Sequence, residues 1–260
     1  MSEPSAFSLQ SSVFRFPDFF VTILCWTWFI PGFFLFFSWR YLACALFAKE
    51  EEQCFQRLNS RFFRVFFHIL RSTAPSHRWE IDEEVAAIRS AVIVCNHLSY
   101  LDPLLLIALF EQHRTLVKTR FFTMPVFGWI IRKSGYFPAS GEGQFTRLMI
   151  RQMETMQDFL HSGGNLFIFP EGTRSRDGRI GDLNQGAMKI ARLCQAPIYV
   201  LQLANTDNLF TPGRFLFQTR VRNTISLKII DRIQPDYQHH IPSAAVLEQQ
   251  VREAYRARQS

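Results

Sequence analysis

The chain has 260 residues, of which 48% are hydrophobic and 20% are charged, a composition that excludes a disordered or fibrous protein. Lys and Arg outnumber Asp and Glu by 29 to 22, and the net charge of +7 favours anionic partners such as a lipid surface or a nucleic acid. The five cysteines lack metal-ligand spacing and are too few for a disulfide scaffold, so we expect a reducing compartment and no structural zinc.

The N-terminal part of the chain is rich in phenylalanine, which favours a membrane-facing segment. Residues 19–39 are 21 residues without a charge, and at ~1.5 Å per residue they would reach ~31 Å, about one hydrocarbon thickness. Pro31 and Gly32 lie near the middle, so the segment is either one kinked spanning helix or two short helices that enter one leaflet and turn there. Basic residues gather after the segment, which places the rest of the chain on the cytoplasmic face of the membrane.

A helix with two distinct faces is expected over residues 55–71. Apolar residues recur at steps of three and four, and a second stripe at similar steps is basic. The apolar stripe is Phe55, Leu58, Phe62, Val65, Phe66 and Ile69, and the basic ridge is Arg57, Arg61, Arg64, His68 and Arg71. A helix packed on the domain with a solvated charged face would explain the apolar stripe equally well, but not why the charged face is cationic throughout. We therefore predict an interfacial helix on anionic membrane lipid, and because no nucleic-acid motif accompanies it, we expect no nucleic-acid partner. We therefore assign residues 1–72 to membrane attachment and 73–260 to a globular domain.

From residue 90 onwards, strand and helix patterns alternate. This alternation favours an α/β domain with a central, mostly parallel sheet flanked by helices. We expect strands at residues 91–95, 115–118, 165–169, 197–203, 215–220 and 224–230. We expect helices at residues 102–110, 126–132, 144–160, 187–193 and 244–258.

A first polar cluster, Asn96-His97-Leu98-Ser99-Tyr100-Leu101-Asp102, directly follows the strand at 91–95. Ligands bind at strand ends in α/β sheets. In a strand-to-helix turn Asp102 can hold one imidazole nitrogen of His97 and leave the other as a general base. The spacing alone favours a plainer interpretation over this one, in which Asp102 caps the helix and His97 is a loop residue.

A second polar cluster, Phe169-Pro170-Glu171-Gly172-Thr173-Arg174-Ser175, follows the strand at 165–169. An Arg in a Gly/Thr/Ser turn offers a forked cation, hydroxyl donors and accessible backbone N–H groups, which is what a phosphate site needs. Taken alone, such a turn is also a common basic surface feature, and it lacks the spacing of a P-loop.

Together and in this order, the two clusters resemble the glycerophospholipid acyltransferase family, over about residues 90–205. The resemblance implies transfer of a fatty acyl group from acyl-CoA or acyl carrier protein to the hydroxyl of a lysophospholipid, typically 1-acylglycerol-3-phosphate, giving phosphatidic acid. It implies no metal and no cofactor beyond the acyl thioester. It also implies His97 as general base and Asp102 as its orienter. The substrate-binding residues that it implies are Glu171, Gly172, Thr173, Arg174 and, between the motifs, Lys118.

Two positions depart from the family pattern. Gly141 stands where the family has a phosphate-binding Arg, and Leu201 replaces the second Pro of a later block. The missing Arg leaves the acceptor open between the standard one and another lysolipid, such as a lyso-ornithine lipid. Two other classes of function stay in play: a hydrolase that uses Ser99, although no G-x-S-x-G elbow is present, and a non-catalytic lipid-binding or scaffold protein.

Overall fold

A seven-stranded sheet with helices on both faces forms the centre of the structure, a computed structural model that describes residues 16–139, 145–174, 181–239 and 241–259. Gly141 and Ser175, which the sequence analysis singles out, lie outside these residues. The strand order is β1-β7-β6-β2-β5-β3-β4. The strands are β1 (His77–Ile81), β2 (Ala91–Cys95), β3 (His113–Val117), β4 (Phe137–Pro138), β5 (Asn165–Ile168), β6 (Ile198–Ala204) and β7 (Asn223–Ile233).

The helices begin with one long N-terminal helix and continue between the strands. They are α1 (Pro17–Phe47), α2 (Glu51–Thr73), α3 (Leu101–Leu109), α4 (Phe127–Lys133), α5 (Thr146–Glu154), α6 (Met156–His161), α7 (Gly186–Leu193), α8 (Thr206–Leu209) and α9 (Ala244–Gln259). Two short 3-10 helices lie at Glu83–Ala87 and Thr119–Thr123. Helices α1, α2 and α3 contribute to the core on one face of the sheet, and α6, α7 and α9 contribute to the core on the other.

Strand β2 lies at the centre of the sheet and is buried on both faces. Ala91, Ile93 and Cys95 belong to the core beside α3, whereas Val92 and Val94 belong to the core beside α7. A continuous apolar run is what a strand covered on both faces requires. Strands β6 and β5 flank β2 and run parallel to it, β3 runs parallel to β5, and β7 is antiparallel to β6. The predicted α/β class with a mostly parallel sheet is therefore confirmed.

Two predicted elements are wrong, and each has a local cause. Residues 215–220 form turns rather than a strand, because the N–H groups of Phe217 and Thr219 bond to side chains of α1 instead of to a neighbouring strand. The single helix predicted over 144–160 is divided into α5 and α6 at Thr155, whose hydroxyl oxygen accepts a hydrogen bond from Arg114.

Helix α1 is continuous through Pro31 and does not turn back there. Its middle part, Trp28–Phe37, is a π-helix. Since a proline has no N–H group, it interrupts the regular hydrogen bonding of an α-helix, and a wider turn accommodates the interruption. By length and composition α1 could cross a membrane, and only 22% of its most apolar window is buried in the protein. One long apolar helix, largely exposed, indicates membrane association and differs from the alternative of two short helices.

The apolar stripe of α2 packs against protein and not against lipid. The exposed fractions of Phe55, Phe62 and Phe66 are 0%, 6% and 1%, and the ring of Phe62 stacks on Trp28 of α1. The prediction of an interfacial helix is therefore wrong for most of this stripe, because α1 and the sheet supply the apolar partner, although Val65 remains exposed. The basic ridge lies on the surface, as predicted for a face in contact with water or lipid headgroups.

A disulfide joins Cys44 in α1 to Cys54 in α2, whereas the sequence predicts the free thiols of a reducing compartment. The two cysteines are ten positions apart in the sequence. They meet because α1 ends at Phe47, α2 begins at Glu51, and the two helices fold back on each other. The other three cysteines are buried and free.

A series of buried hydrogen bonds fixes α1 and α2 against the sheet. The hydroxyl of Tyr41 donates to Oδ1 of Asn59 at 2.6 Å, and the Asn59 amide donates to the Tyr136 hydroxyl at 3.1 Å. Because Nδ1 of His113 lies 2.7 Å from the carbonyl oxygen of Phe110, that nitrogen carries the proton, and Nε2 accepts from Tyr136 at 2.5 Å. The series is complete only with a neutral His113 ring, and burial lowers the pKa of His113 to about 4.

We expect His113 to make the fold sensitive to acid. The unfolded His113 takes up a proton near its ordinary pKa of about 6.5, whereas the folded one does so near 4. Stability is therefore lost as the pH falls from about 6.5 to about 4, by up to about 3 kcal/mol. His113→Asn should weaken this pH dependence of the melting temperature measured in detergent. The same change at the exposed His161 should leave it intact, and an unaltered pH profile in His113→Asn would contradict the assignment.

Candidate active site

The two polar clusters lie at the same edge of the sheet. His97 follows β2, Glu171 follows β5 and Lys118 follows β3, and these three strands are parallel, with β5 in the middle. The carboxyl ends of parallel strands form the usual ligand-binding edge of an α/β fold. Lys118 is exposed at the start of the 3-10 helix, and two strand spacings, ~10 Å, separate β3 from β2.

Asn96 fixes the first cluster to the neighbouring strand β6. Its buried side chain donates to the carbonyl of Leu203 at 2.9 Å and accepts from the N–H of the same residue at 2.7 Å. The amide thus replaces a backbone pair at the point where β2 ends. The turn that carries His97 therefore begins from a rigid position.

His97 and Asp102 are brought together, as one of the two interpretations of the sequence predicts. Nδ1 of His97 lies 2.9 Å from Oδ2 of Asp102, and the same oxygen accepts from the N–H groups of Leu98 at 2.6 Å and Ser99 at 2.7 Å. Asp102 is fully buried in the first turn of α3 and is not its N-cap, since the helix begins at Leu101. The carboxylate both closes the turn and orients the imidazole.

The ring of His97 is held in one orientation and one tautomer. A carboxylate only accepts hydrogen bonds, so Nδ1 of His97 carries the proton and Nε2 carries the lone pair. The ring stacks on Phe169 at 4.4 Å between centroids, and its side chain is 17% exposed. Within the described part of the chain, Nε2 forms no hydrogen bond of its own. This nitrogen can therefore accept a proton from a bound hydroxyl group.

Thr206 is a part of this arrangement that the sequence analysis missed. Its hydroxyl donates to Oδ1 of Asp102 at 2.6 Å, and the residue is fully buried. The only signal in the sequence is weak: the polar run Asn205-Thr206-Asp207 directly follows strand β6. With Thr206, both oxygens of the buried carboxylate have partners.

Ser99 does not form the arrangement that a serine hydrolase requires. Its hydroxyl donates to the carbonyl of Phe210 at 2.7 Å and not to His97. A nucleophilic serine needs its proton directed at the base. The geometry therefore disfavours the hydrolase alternative for this residue.

Glu171 connects the second cluster to the first. One carboxylate oxygen accepts from the N–H of His97 at 3.0 Å, and the other accepts from the N–H of Gly181 at 3.4 Å. Burial raises the pKa of the Glu171 carboxyl, and these two N–H groups oppose the shift. The contacts give Glu171 a structural function between the clusters, while its contact with substrate stays a prediction.

The remaining residues of the second cluster lie in an open turn. Gly172 has a φ of +67°, which favours glycine, and no atom of the described residues lies within 4 Å of the position that a Cβ would take. Thr173 is exposed. Arg174 lies over the ring of Tyr100 at 3.7 Å, and its Nη2 donates to the Tyr100 hydroxyl at 3.0 Å. Nη1 of Arg174 is buried and, among the described residues, has no hydrogen-bond partner.

Comparison with known proteins agrees with the family resemblance of the two polar clusters and with the α/β fold described above. Residues 77–203 match the family model Acyltransferase. A chloroplastic 1-acyl-sn-glycerol-3-phosphate acyltransferase of Brassica napus is 29% identical over 168 residues, which are 61% of this chain and 48% of the relative. One of Arabidopsis thaliana is 32% identical over 123 residues, which are 47% of this chain and 34% of the relative. The chain thus spans half or less of the length of these relatives.

The chain aligns over nearly its whole length with a solved structure. It is the 1-acyl-sn-glycerophosphate (LPA) acyltransferase PlsC of Thermotoga maritima, with a TM-score of 0.69 and 19% sequence identity. The alignment covers 94% of this chain and 96% of that chain. At this identity the comparison shows a shared fold.

We expect Asn96→Ala to destabilise the protein by about 2–4 kcal/mol, because it leaves the buried N–H and C=O of Leu203 without partners. The matched control is Asn208→Ala, which removes an exposed amide from α8 and should change stability by less than ~0.5 kcal/mol. Thermal or denaturant unfolding in detergent measures both. Equal stabilities of the two variants would show that the Asn96 amide does not hold the turn.

Proposed function

We propose that the protein transfers a fatty acyl group from an acyl thioester to the free hydroxyl of a lysophospholipid, because residues 77–203 match the family model Acyltransferase. The observation that carries this proposal is the His97–Asp102 pair, with Nδ1 held by the carboxylate and Nε2 available. An alcohol is a poor nucleophile at neutral pH, and a positioned histidine accelerates such reactions by about 10²- to 10⁴-fold.

The proposed reaction begins with the hydroxyl of the acceptor at Nε2 of His97. As the hydroxyl oxygen attacks the thioester carbonyl, its proton moves to Nε2, and Asp102 stabilises the imidazolium that forms. The tetrahedral intermediate then collapses, the carbon–sulfur bond breaks, and the thiolate takes the proton from Nε2. The products are the new ester and a free thiol. No metal or further cofactor is needed to balance these steps.

We propose 1-acylglycerol-3-phosphate as the acceptor, with Arg174 as its phosphate ligand. Among the described residues Nη1 of Arg174 is buried without a partner, so it is a donor that a phosphate oxygen can use, and a guanidinium binds phosphate as a fork. The Gly172 backbone and the exposed Thr173 hydroxyl lie in the same turn, and Lys118 adds a cation at the same sheet edge. These residues supply phosphate contacts although Gly141 replaces the family's Arg.

We place the reaction at the cytoplasmic face of the membrane. The acceptor is amphiphilic, so its acyl chain stays near lipid while its headgroup reaches the sheet edge. Helix α1 offers an exposed apolar surface for contact with lipid. The basic ridge of α2 is exposed and can face the headgroups. Acyl-CoA and acyl carrier protein both present the thioester that the chemistry requires, so both belong in the assay as donors.

Replacing His97 by Ala should lower kcat by about 10²- to 10⁴-fold, because the base is removed. Asp102→Asn should lower kcat by at least ~10²-fold. Both carboxylate oxygens accept hydrogen bonds, one from the Leu98 N–H and one from the Thr206 hydroxyl, so the N–H₂ group of an amide would face a donor in either orientation. The measurement is transfer of a labelled acyl group from each donor to a panel of lysolipids by purified protein in detergent. His161→Ala, at an exposed histidine, serves as the control variant.

Four results would contradict the proposal in different ways. Full activity in His97→Ala would show that another group is the general base. A burst of covalent acyl-enzyme would show that a side chain of the protein, and not the acceptor hydroxyl, attacks the thioester. No product from any acceptor, with the protein folded, would support the non-catalytic alternative. Product only from a lysolipid without phosphate would retain the chemistry and change the acceptor.

Arg174→Gln should raise the KM for 1-acylglycerol-3-phosphate by about tenfold or more and leave the KM for the acyl donor nearly unchanged, because a charged phosphate contact is lost. Tyr100→Phe keeps the ring under Arg174 and removes only the hydroxyl acceptor, so a smaller effect is expected. Arg192→Gln, at an exposed arginine near the end of α7, is the control. Equal KM values in Arg174→Gln and Arg192→Gln would exclude Arg174 as the phosphate ligand.

A further inference from the structure

The segment 205–219, between β6 and β7, touches the catalytic turn at its beginning. Thr206 is fully buried, and its hydroxyl donates to Oδ1 of Asp102 at 2.6 Å. The other oxygen, Oδ2, already accepts from His97, Leu98 and Ser99. Among the described residues Thr206 is the side chain that holds Oδ1, and without it the carboxylate could rotate and move Oδ2 away from Nδ1 of His97.

The backbone places Thr206 with little freedom. The preceding residue, Asn205, has a φ of +63°, a left-handed conformation that asparagine tolerates better than most residues. Its side chain donates to the carbonyl of Thr224 at 2.9 Å, and its own carbonyl accepts from the amide of Asn223 at 2.8 Å. The beginning of β7 therefore fixes the residue that precedes Thr206.

The same segment continues past the catalytic turn to α1. The carbonyl of Phe210 accepts the hydroxyl of Ser99, and its ring stacks on Phe217 at 4.5 Å. The N–H of Phe217 then donates to the hydroxyl oxygen of Thr22 at 3.0 Å. Asp18 accepts from both the N–H and the hydroxyl of Thr219, at 2.9 and 2.6 Å. One segment thus joins the buried carboxylate of the site to the first turns of the long apolar helix.

We propose that Thr206 is a positioning residue for the reaction, because its hydroxyl holds Oδ1 of Asp102 and thereby keeps Oδ2 aligned with Nδ1 of His97. The inference rests on the proposed function and extends it to a residue far away in the sequence. Thr206 acts through Asp102, so its loss impairs the chemical step and leaves substrate binding unchanged. A conservative hydroxyl at the same position preserves the effect.

The kinetic test compares Thr206→Val, which keeps the shape and loses the hydroxyl, with Thr206→Ser, which keeps the hydroxyl. We expect Thr206→Val to lower kcat by about tenfold or more with KM within about twofold, and Thr206→Ser to stay within about threefold of the wild-type kcat. Thr206→Ala repeats the comparison with a smaller side chain. The matched control is Thr211→Val, which removes a hydroxyl of the same segment that donates to the carbonyl of Asp207.

A second measurement does not depend on activity. The Nδ1 proton of His97, assigned by its absence in His97→Ala, should shift in the proton NMR spectrum of Thr206→Val but not in Thr206→Ser or Thr211→Val. An unchanged resonance and kcat in folded Thr206→Val, or equal losses in the Ser and Val variants, would overturn the inference. If the wild type makes no product, the proposed function fails while the resonance still tests the position of Thr206.

Discussion

One buried carboxylate organises the candidate site. Asp102 is inaccessible to solvent and accepts hydrogen bonds from three successive residues of its own turn and from Thr206, more than a hundred residues later in the chain. A buried charge is tolerated only when its oxygens are satisfied. The turn after β2, the start of α8 and the orientation of the His97 ring are therefore not independent features, since each supplies a donor to the same group.

The second organising feature is the way the helical N-terminal region meets the sheet. The hydrogen bonds run from Tyr41 of α1 through Asn59 of α2 and Tyr136 to His113 of β3, and the phenylalanines of α2 fill the space between α1 and α3. Polar groups in such a position specify one arrangement of the helices, because any other would leave them unpaired. The apolar contacts hold the helices close, and the polar series fixes how far each is displaced along its neighbour.

Local patterns predict the central strands well, because a fully apolar run is a signal contained in a few adjacent residues. The spacing of His97 and Asp102 alone does not predict their contact, and only the two clusters together, through the family resemblance, point to it. Helix α2 was assigned to lipid because an apolar stripe has the same spacing whether its partner is a membrane or another helix. Thr206 gave no usable signal, since its partner is remote and a single threonine after a strand is common. The segment 215–220 has strand-like residues, but its N–H groups bind α1.

Helix α1 contributes side chains to the core of the α/β domain. Val21 and Cys25 belong to the same core as Ile93 of the central strand, and Trp28 covers Phe62 of α2. A catalytic fragment cut off before α2 would expose these aromatic surfaces to water and would release the N–H groups that Asp18 and Thr22 bind. Helix α1 and the α/β domain thus share one core. A replacement of α1 would also have to supply partners for these aromatic side chains and for the N–H groups of Phe217 and Thr219.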